Sequence, residues 1–260
     1  MTEKVLSFLI LYVVMVTFGG VSQAATYLAE KPAFLTPCRR DDPGFEKCFT
    51  SNFDALFREY KDGIPGSKAV KSLDPLPVKR VTIAQDGKGP VSLNAELTNI
   101  LISGGSKAQT KKADWKEKEE TLSLLFFAPQ LKVQSDYKVD GRILSLPLNG
   151  HGKLNFVVDK IAMAIKIKYK LRKEHGVTFS DIVEFHLDIK EIGGFNIKLE
   201  NLFNGQKDLE DAANMTFNEN WRDLYEALKP AIRQTCEALL ANRVKAVFKF
   251  IPASYFIENL

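Results

Sequence analysis

The sequence contains few of the residues that usually carry catalysis or bind metals. Its 260 residues include three histidines and three cysteines. His151 and His175 fall at predicted turns, and His186 lies between two apolar residues of a strand, so we interpret all three as solvated or packed side chains. None has the spacing of a metal site or a catalytic triad, and no nucleophile elbow, phosphate-binding loop or dinucleotide-binding motif occurs. The pattern therefore favours a protein that is not an enzyme and has no metal or cofactor.

Long apolar runs are scarce as well. Only Val5 to Phe18, about 14 residues, comes near the ~20 residues that a membrane-spanning helix requires. Together with Lys4 and the small residues of Ser22-Gln23-Ala24, this run is typical of a secretory signal peptide at residues 1–24, with an anchoring helix as the alternative. No linker rich in Gly, Ser or Pro divides residues 25–260, so we expect one elongated, secreted extracellular domain.

The charge is also modest. The formal net charge is +4, and no dense basic block or aromatic-basic interleaving is present. Nucleic acid is therefore not expected as a partner.

The three cysteines have different predicted roles. Cys38 and Cys48 lie close together ahead of a predicted helix and would face an oxidising compartment, which favours a disulfide between them. Cys236 falls on an apolar helix face, where a buried free thiol is a better interpretation than a nucleophile. The sequon Asn214-Met-Thr216 predicts a glycosylation site at Asn214, on the surface.

One apolar stripe dominates the C-terminal region. From Asn218 to Ile251 apolar residues recur at steps of three or four, which predicts a helix of roughly 50 Å. A compact domain of this size should be only about 45 Å across, so an element of similar length must cover the stripe. The stripe consists of Trp221, Leu224, Tyr225, Leu228, Ile232, Cys236, Leu239, Leu240, Val244, Val247, Phe248 and Ile251.

Alternating apolar residues fill the middle of the chain, after a short predicted helix at Phe45–Lys61. They predict antiparallel strands of roughly 12 to 25 residues, as long as the helix. The alternation changes phase at Pro129, which predicts a bulge or bend in an edge-like strand, and turns are predicted at Asn149–Gly152, Glu174–Gly176 and Gly193-Gly194. The fold class is therefore α+β, with a highly curved antiparallel sheet wrapped around a long C-terminal helix. The 18 phenylalanines make the interior strongly apolar. A sheet rolled around a helix need not fill that interior with side chains, so an apolar tunnel could remain.

An ordered set of short features resembles the insect takeout and haemolymph juvenile hormone-binding protein family. The resemblance implies a tubular lipid-binding fold and a secreted carrier of juvenile hormone, other terpenoids, fatty acids or quinone-like lipids. Dedicated hormone carriers have a second disulfide, which this chain lacks, so the takeout branch is favoured. The features are the signal peptide, Cys38, Cys48, Gly63-Ile64-Pro65, Pro129, Tyr137, Gly141, Leu146-Pro147, Gly150, Gly152, Asn218-Glu219-Asn220-Trp221, Pro230 and Phe250-Ile251-Pro252.

On this interpretation a small lipophilic ligand contacts the sheet and the helix, with the Tyr137 hydroxyl or the Trp221 indole as an anchor. Further expected partners are a receptor or a membrane for delivery, and the protein is expected to be a monomer. The alternatives are a secreted lipid or ester hydrolase, and an interaction module that uses the helix as an oligomerisation seam. The predicted ligand-binding residues are Phe126, Val133, Tyr137, Phe156, Phe185, Trp221, Tyr225 and Leu228.

Overall fold

The computed structural model describes residues 26–85, 91–143, 146–174, 176–258 and 260. The predicted signal peptide and His175 lie outside these ranges. Within them the helices are α1 (Phe45–Glu59), α2 (Lys207–Glu219) and α3 (Trp221–Phe250), and the strands are β1 (Leu76–Gln85), β2 (Val91–Ser103), β3 (Gln109–Lys116), β4 (Thr121–Ile143), β5 (Leu146–Glu174), β6 (Val177–Glu191) and β7 (Gly194–Leu199).

Helix α1 is amphipathic and is tied to the C-terminal end of the chain. Its apolar face buries Phe49 and Phe53. Cys38 and Cys48 form the expected disulfide, with their Cα atoms 5.8 Å apart. The backbone of Cys38 also bonds to residues 256 and 258. The disulfide therefore connects α1 to a segment that is paired with the C-terminal residues.

Strands β4 and β5, of 23 and 29 residues, form the centre of one antiparallel sheet. The main order is β1-β2-β4-β5-β6, while β3 pairs with β4 and β7 pairs with β5. Each long strand thus changes partner along its length: β4 pairs first with β3 and then with β2, and β5 first with β7 and then with β6. The reversal predicted at Glu174–Gly176 is confirmed, because it joins β5 to β6.

The change of phase predicted at Pro129 occurs, but in two strands together. Even-numbered residues up to Ala128 are buried in β4, whereas odd-numbered residues are inward beyond it. Strand β5 switches at the same level, at Lys160, whose φ is +51°. The β4–β5 register stays continuous there, so no residue is inserted between these two strands.

The edge-like strand expected around Pro129 is in fact central. The proline is tolerated because it falls between two neighbours: β3 pairing ends at Phe127, and β2 pairing begins at Lys132. On that side of β4 no strand pairs with residues 128–131, so the N–H that proline lacks is not needed there.

The turn predicted at Asn149–Gly152 is wrong. These residues lie within β5, and the chain reverses between Ile143 and Leu146. Gly152 is needed for another reason, because a Cβ at this position would lie 2.0 Å from the carbonyl oxygen of Glu200. Glycine therefore allows the segment after β7 to cross closely over β5.

The long helix predicted from Asn218 to Ile251 is present as α3, Trp221–Phe250, and a shorter helix that was not predicted precedes it. Helix α3 has 30 residues, about 45 Å, and α2 precedes it with 13 residues. The break is at Asn220, whose amide donates to the Thr216 carbonyl at the end of α2, at 2.9 Å. Because of this break, α2 packs on β7 while α3 follows the length of the sheet.

Helix α3 bonds to strands on both sides of the sheet. On one side, the backbone N–H of Leu187 in edge strand β6 donates a hydrogen bond of 2.8 Å to the Glu237 carboxylate. At the β1 side, the Arg243 guanidinium donates to the carbonyls of Ala69 and Pro77, at 3.1 and 3.3 Å. The curved sheet is therefore closed by the helix, and an interior lies between them.

Two asparagines of α2 cover the outer edge of β7. The Asn214 amide accepts the Leu199 N–H and donates to the Leu199 carbonyl, both at 2.9 Å. Asn218 does the same with Ile197, at 2.7 and 2.9 Å. These amides replace a neighbouring strand on an otherwise unpaired edge. The predicted glycosylation site Asn214 is thus half-buried and bonded to the sheet.

Candidate functional site

A cavity of about 370 Å³ lies between α3 and the concave face of the sheet. Helix α1 and the C-terminal segment contribute to its walls. Its apolar lining includes Phe49, Phe53, Leu56 and Phe57 from α1; Leu124, Phe126, Ala128, Leu131 and Val133 from β4; Phe156, Val158, Ile161, Met163, Ile165 and Ile167 from β5; Phe185 and Ile189 from β6; Tyr225, Ile232, Cys236, Leu239, Leu240, Val244, Val247 and Phe248 from α3; and Ile251, Phe256 and Ile257.

The apolar stripe of α3 faces this cavity. Only Leu224, Tyr225 and Phe250 of the helix are buried. Stripe residues such as Ile232 and Leu240 are half-buried and line the cavity. A helix enclosed by a sheet would ordinarily bury its apolar face in side chains. Here part of that face meets open space, which a lipophilic molecule could fill.

Besides Tyr225 and Cys236, the residues with polar side chains in the lining are Ser106, Trp115, Ser180 and Arg243. Trp115 and Arg243 lie towards its two ends along β4. Trp115 of β3 pairs with Leu122, just before the cavity-lining part of β4. Arg243 is the one charged residue in the described lining, and it bonds to the Pro77 carbonyl. Pro77 pairs with Leu101 of β2, and Leu101 pairs with Gln134, which lies just beyond Val133 on β4. The cavity thus has a neutral donor towards one end and a cation towards the other.

Cys236 lines the cavity as an unreactive thiol. Burial raises its pKa from 9.0 to about 11, so it is protonated at neutral pH. A thiolate is the nucleophilic form, so the environment of Cys236 opposes covalent catalysis. His186 contributes to a different concavity, so the structure provides no pairing of this thiol with that base inside the cavity.

Five of the eight predicted ligand-binding residues line the cavity together. They are Phe126, Val133, Phe156, Phe185 and Tyr225. Their positions on three strands and one helix agree with the predicted arrangement of a sheet around a helix.

Tyr137 lies elsewhere. It is 4% exposed, in a separate apolar cluster with Leu154 and Phe217. Its hydroxyl donates to the Glu200 carbonyl at 2.9 Å, and burial raises its pKa above the ordinary value. The hydroxyl predicted as an anchor therefore holds the segment that crosses β5.

Trp221 and Leu228 are also outside the described lining. Trp221 stacks on Phe195 with ring centroids 6.1 Å apart, and Phe195 lines the cavity. The Trp221 indole is thus one ring removed from the interior. Leu228 is half-buried on α3.

Several walls of the cavity were not predicted from the sequence. Alternation places Leu124 and Ala128 on the same face as Phe126, so this part could have been predicted. The contributions of α1 and of the C-terminal residues, such as Phe53 and Phe256, depend on tertiary packing. Trp115 and Arg243 carry no local signal, because neither belongs to a motif.

A second concavity, of about 890 Å³, involves the outer side of the sheet and the start of α3. Its lining includes Lys166, His186, Asp188, Lys190 and Arg233, and all five are exposed. This charged, solvated surface suits an apolar molecule poorly.

Other kinds of site find no support in the part of the chain that the structure describes. No group of three or more His, Cys, Asp or Glu residues there is placed to hold a metal ion. No described helix combines the length and the apolarity needed to span a membrane.

The sequence matches a family model over almost its whole length. Residues 12–258 match the model described as "Haemolymph juvenile hormone binding protein (JHBP)". Two similar proteins are the circadian clock-controlled protein daywake of Drosophila melanogaster and of Drosophila yakuba. They are 26% and 24% identical to this chain over 256 and 253 residues, which cover 94% and 95% of this chain and 96% of each relative.

A solved structure has the same architecture. The crystal structure of Epiphyas postvittana Takeout 1 superposes with a TM-score of 0.74 at 23% sequence identity, covering 85% of this chain and 99% of that one. At this identity the likeness supports the fold alone.

Proposed function

Because the chain belongs to the haemolymph juvenile hormone-binding protein family, we propose that it carries one small lipophilic ligand in the cavity between α3 and the sheet. The observation that supports this most is the half-covered apolar stripe of α3, which faces about 370 Å³ of apolar space. This volume falls in the range of about 300–1,000 Å³ that is usual for ligand sites. The proposed contacts are Phe126, Val133, Phe156, Phe185 and Tyr225.

The energetics suit a reversible carrier. Burial of about 15 hydrocarbon carbons contributes about 12 kcal/mol, at ~0.8 kcal/mol per carbon. Loss of translational freedom and ordering of the ligand cost a comparable amount. Useful affinity then requires only one or two polar contacts, so terpenoids, fatty acids and quinone-like lipids are all candidates. The missing second disulfide favours takeout-type ligands over juvenile hormone itself.

We further propose that the carrier is secreted and acts outside the cell as a monomer. The predicted signal peptide and the Cys38–Cys48 disulfide support an oxidising, extracellular environment. Delivery to a receptor or a membrane is consistent with this role. Light scattering of the purified protein should give the mass of one chain.

Binding to a delipidated protein tests the proposal. The purified chain should bind at least one representative terpenoid, fatty acid or quinone, detected by displacement of a fluorescent probe. Leu240→Trp would place a larger side chain in the cavity and should weaken that binding by about tenfold or more. Val183→Trp is the matched control, because Val183 is 53% exposed and lies outside the described lining. Absence of binding to all three classes would refute the carrier function.

Among the described residues, no observation supports the hydrolase alternative. Its nucleophile and base would have to come together at one place, and Cys236 and His186 contribute to different concavities. The interaction-module alternative would need the α3 stripe on the outside, whereas most of the stripe lines the interior.

A further inference from the structure

The single N-glycosylation sequon of the chain lies inside helix α2. It consists of Asn214, Met215 and Thr216. Met215 is 61% exposed and Thr216 is exposed as well, whereas Asn214 is half-buried against β7. Residues two positions apart differ by about 200° around a helix, so Asn214 and Thr216 lie on different sides of α2. The helix therefore separates the two side chains by which a sequon is recognised.

The Asn214 amide belongs to a repeated arrangement that pairs α2 with the edge of β7. Asn214 bonds to the N–H and the carbonyl of Leu199, and Asn218 bonds to those of Ile197. Four residues of a helix advance about 6 Å, and two residues of an antiparallel strand advance about 6.8 Å. The spacing of the two amides thus matches the spacing of the backbone groups that they bond. Both asparagines are needed in unmodified form to cover this edge.

The geometry of the pair determines which hydrogen of the Asn214 amide is used. An amide that accepts from and donates to one residue uses its oxygen and the hydrogen syn to that oxygen across the C–N bond. In an N-linked glycan the first sugar carbon replaces that same hydrogen, because a secondary amide places its carbon substituent syn to the oxygen, as a trans peptide does. A glycan at Asn214 would therefore remove the bond to the Leu199 carbonyl and place a sugar between α2 and β7.

The threonine of the sequon is bonded as well. The Thr216 hydroxyl donates to the Ala212 carbonyl at 2.8 Å, within the helix. An enzyme that recognises the asparagine and the threonine together needs access to both side chains. In folded α2 one of them is bonded to the sheet and the other to the helix backbone. A glycan can therefore be attached only before α2 has formed and packed on β7.

We propose that Asn214 carries no glycan in the folded protein, and that a glycan on Asn214 and the packing of α2 on β7 exclude each other. Packing of the helix protects the sequon from modification. A chain that is glycosylated first keeps an unpaired β7 edge, and such an edge is open to pairing with other chains. This inference concerns how the chain is folded and modified, and it does not depend on the carrier function.

Two chains with one sequon each, secreted from the same eukaryotic host, test the proposal. The wild type offers only Asn214, whereas the double variant Gln206→Thr, Thr216→Ala offers only Asn204, which is exposed in the turn before α2. Peptide N-glycosidase followed by mass spectrometry gives the occupied fraction. We expect a glycan on fewer than about a tenth of the wild-type chains and on most chains of the double variant. A glycan on most of the soluble wild-type chains would overturn the proposal.

Asn218→Ala separates the effect of the fold from that of the sequon's own sequence. This variant weakens the contact of α2 with β7 and leaves residues 214–216 unchanged. The occupied fraction should therefore rise at least about threefold over the wild type. An equally low occupancy in this variant would overturn the proposal, because the sequence of the sequon would then explain it alone.

Hydrogen exchange of the Leu199 N–H measures the exclusion itself. The secreted Asn218→Ala protein is divided on a lectin column into glycosylated and unmodified chains. The Leu199 N–H should exchange at least about tenfold faster in the glycosylated chains, because its bond to Asn214 is lost there. Equal exchange rates in the two fractions would show that a glycan and the packing of α2 on β7 are compatible, contrary to the proposal.

Discussion

At the scale of single residues, the chain uses its buried polar groups for different purposes. Tyr137 and Tyr169 are both tyrosines on long strands with almost no exposed surface. The Tyr137 hydroxyl is bonded to Glu200, whereas the Tyr169 hydroxyl has no partner among the described residues. Alternation along a strand could not separate these cases, because it predicts the face of a side chain and not the atom that its end reaches.

Cys236 should make the stability of the protein sensitive to alkaline pH. Its pKa is raised from 9.0 to about 11 by burial, so the folded state holds this proton more tightly than the unfolded chain. Its stabilising contribution is complete below pH 9 and is lost as the pH rises towards about 11. Between about pH 8 and pH 10.5, the free energy of unfolding should therefore fall by about 1–2 kcal/mol more in the wild type than in Cys236→Ala. Denaturant titrations at both pH values measure this difference, and parallel declines would contradict it.

At the scale of elements, side-chain spacing predicted the long helix and the long strands better than it predicted where they begin and end. The α3 stripe, the long strands and the phase change at Pro129 follow from side-chain spacing alone. The break at Asn220 does not, because residues on both sides of it are helical and only the packing of α2 on β7 requires it. The false turn at Asn149–Gly152 has a similar origin, since glycine marks both tight turns and close crossings.

The crossing over β5 predicts a strong effect at Gly152. In Gly152→Ala the new Cβ would meet the Glu200 carbonyl at 2.0 Å, so the backbone must shift. We expect a loss of about 1–3 kcal/mol in unfolding free energy, measured by denaturant titration. Gly105→Ala is the matched control, because its nearest contact would be an ordinary 3.8 Å to Leu73. Equal stability of the two variants would argue against the crossing.

Coverage of the β7 edge predicts a separate effect at Asn218. Asn218→Ala would leave the N–H and the carbonyl of Ile197 without the partner that they share. The expected cost in unfolding free energy is about 1–3 kcal/mol. Asn220→Ala, which removes an exposed amide at the helix break, should cost less than about 0.5 kcal/mol. If Asn218→Ala unfolded at the same midpoint urea concentration as the wild type, the β7 edge would not depend on this amide.

At the scale of the whole molecule, the resemblance to the takeout and juvenile hormone-binding family is confirmed by the family model and by the Takeout 1 fold. The α+β class and the curved sheet around a long helix are confirmed with it. The cavity was predicted only in outline. Which strand face is concave, and which of its residues reach the interior, depends on how the sheet curves and packs against α3, which spacing does not reveal.

The closure of the sheet by α3 predicts how a ligand would exchange. Arg243 joins the helix to Ala69 and Pro77 across one side of the cavity. Arg243→Ala should loosen this side and accelerate release of a bound fluorescent lipid by about threefold to tenfold, measured by stopped-flow displacement. Lys245→Ala, at an exposed position of the same helix, should release the lipid at the wild-type rate. An unchanged rate in Arg243→Ala would place the exit route elsewhere.

Native mass spectrometry of the protein secreted from a eukaryotic host shows whether the chain carries a lipophilic ligand in its cavity. We expect a single chain carrying one lipophilic molecule, which organic extraction removes and an added terpenoid, fatty acid or quinone replaces. Leu240→Trp should carry little or none. A bare polypeptide mass before extraction, together with no uptake of lipid afterwards, would contradict the existence of a functional ligand cavity.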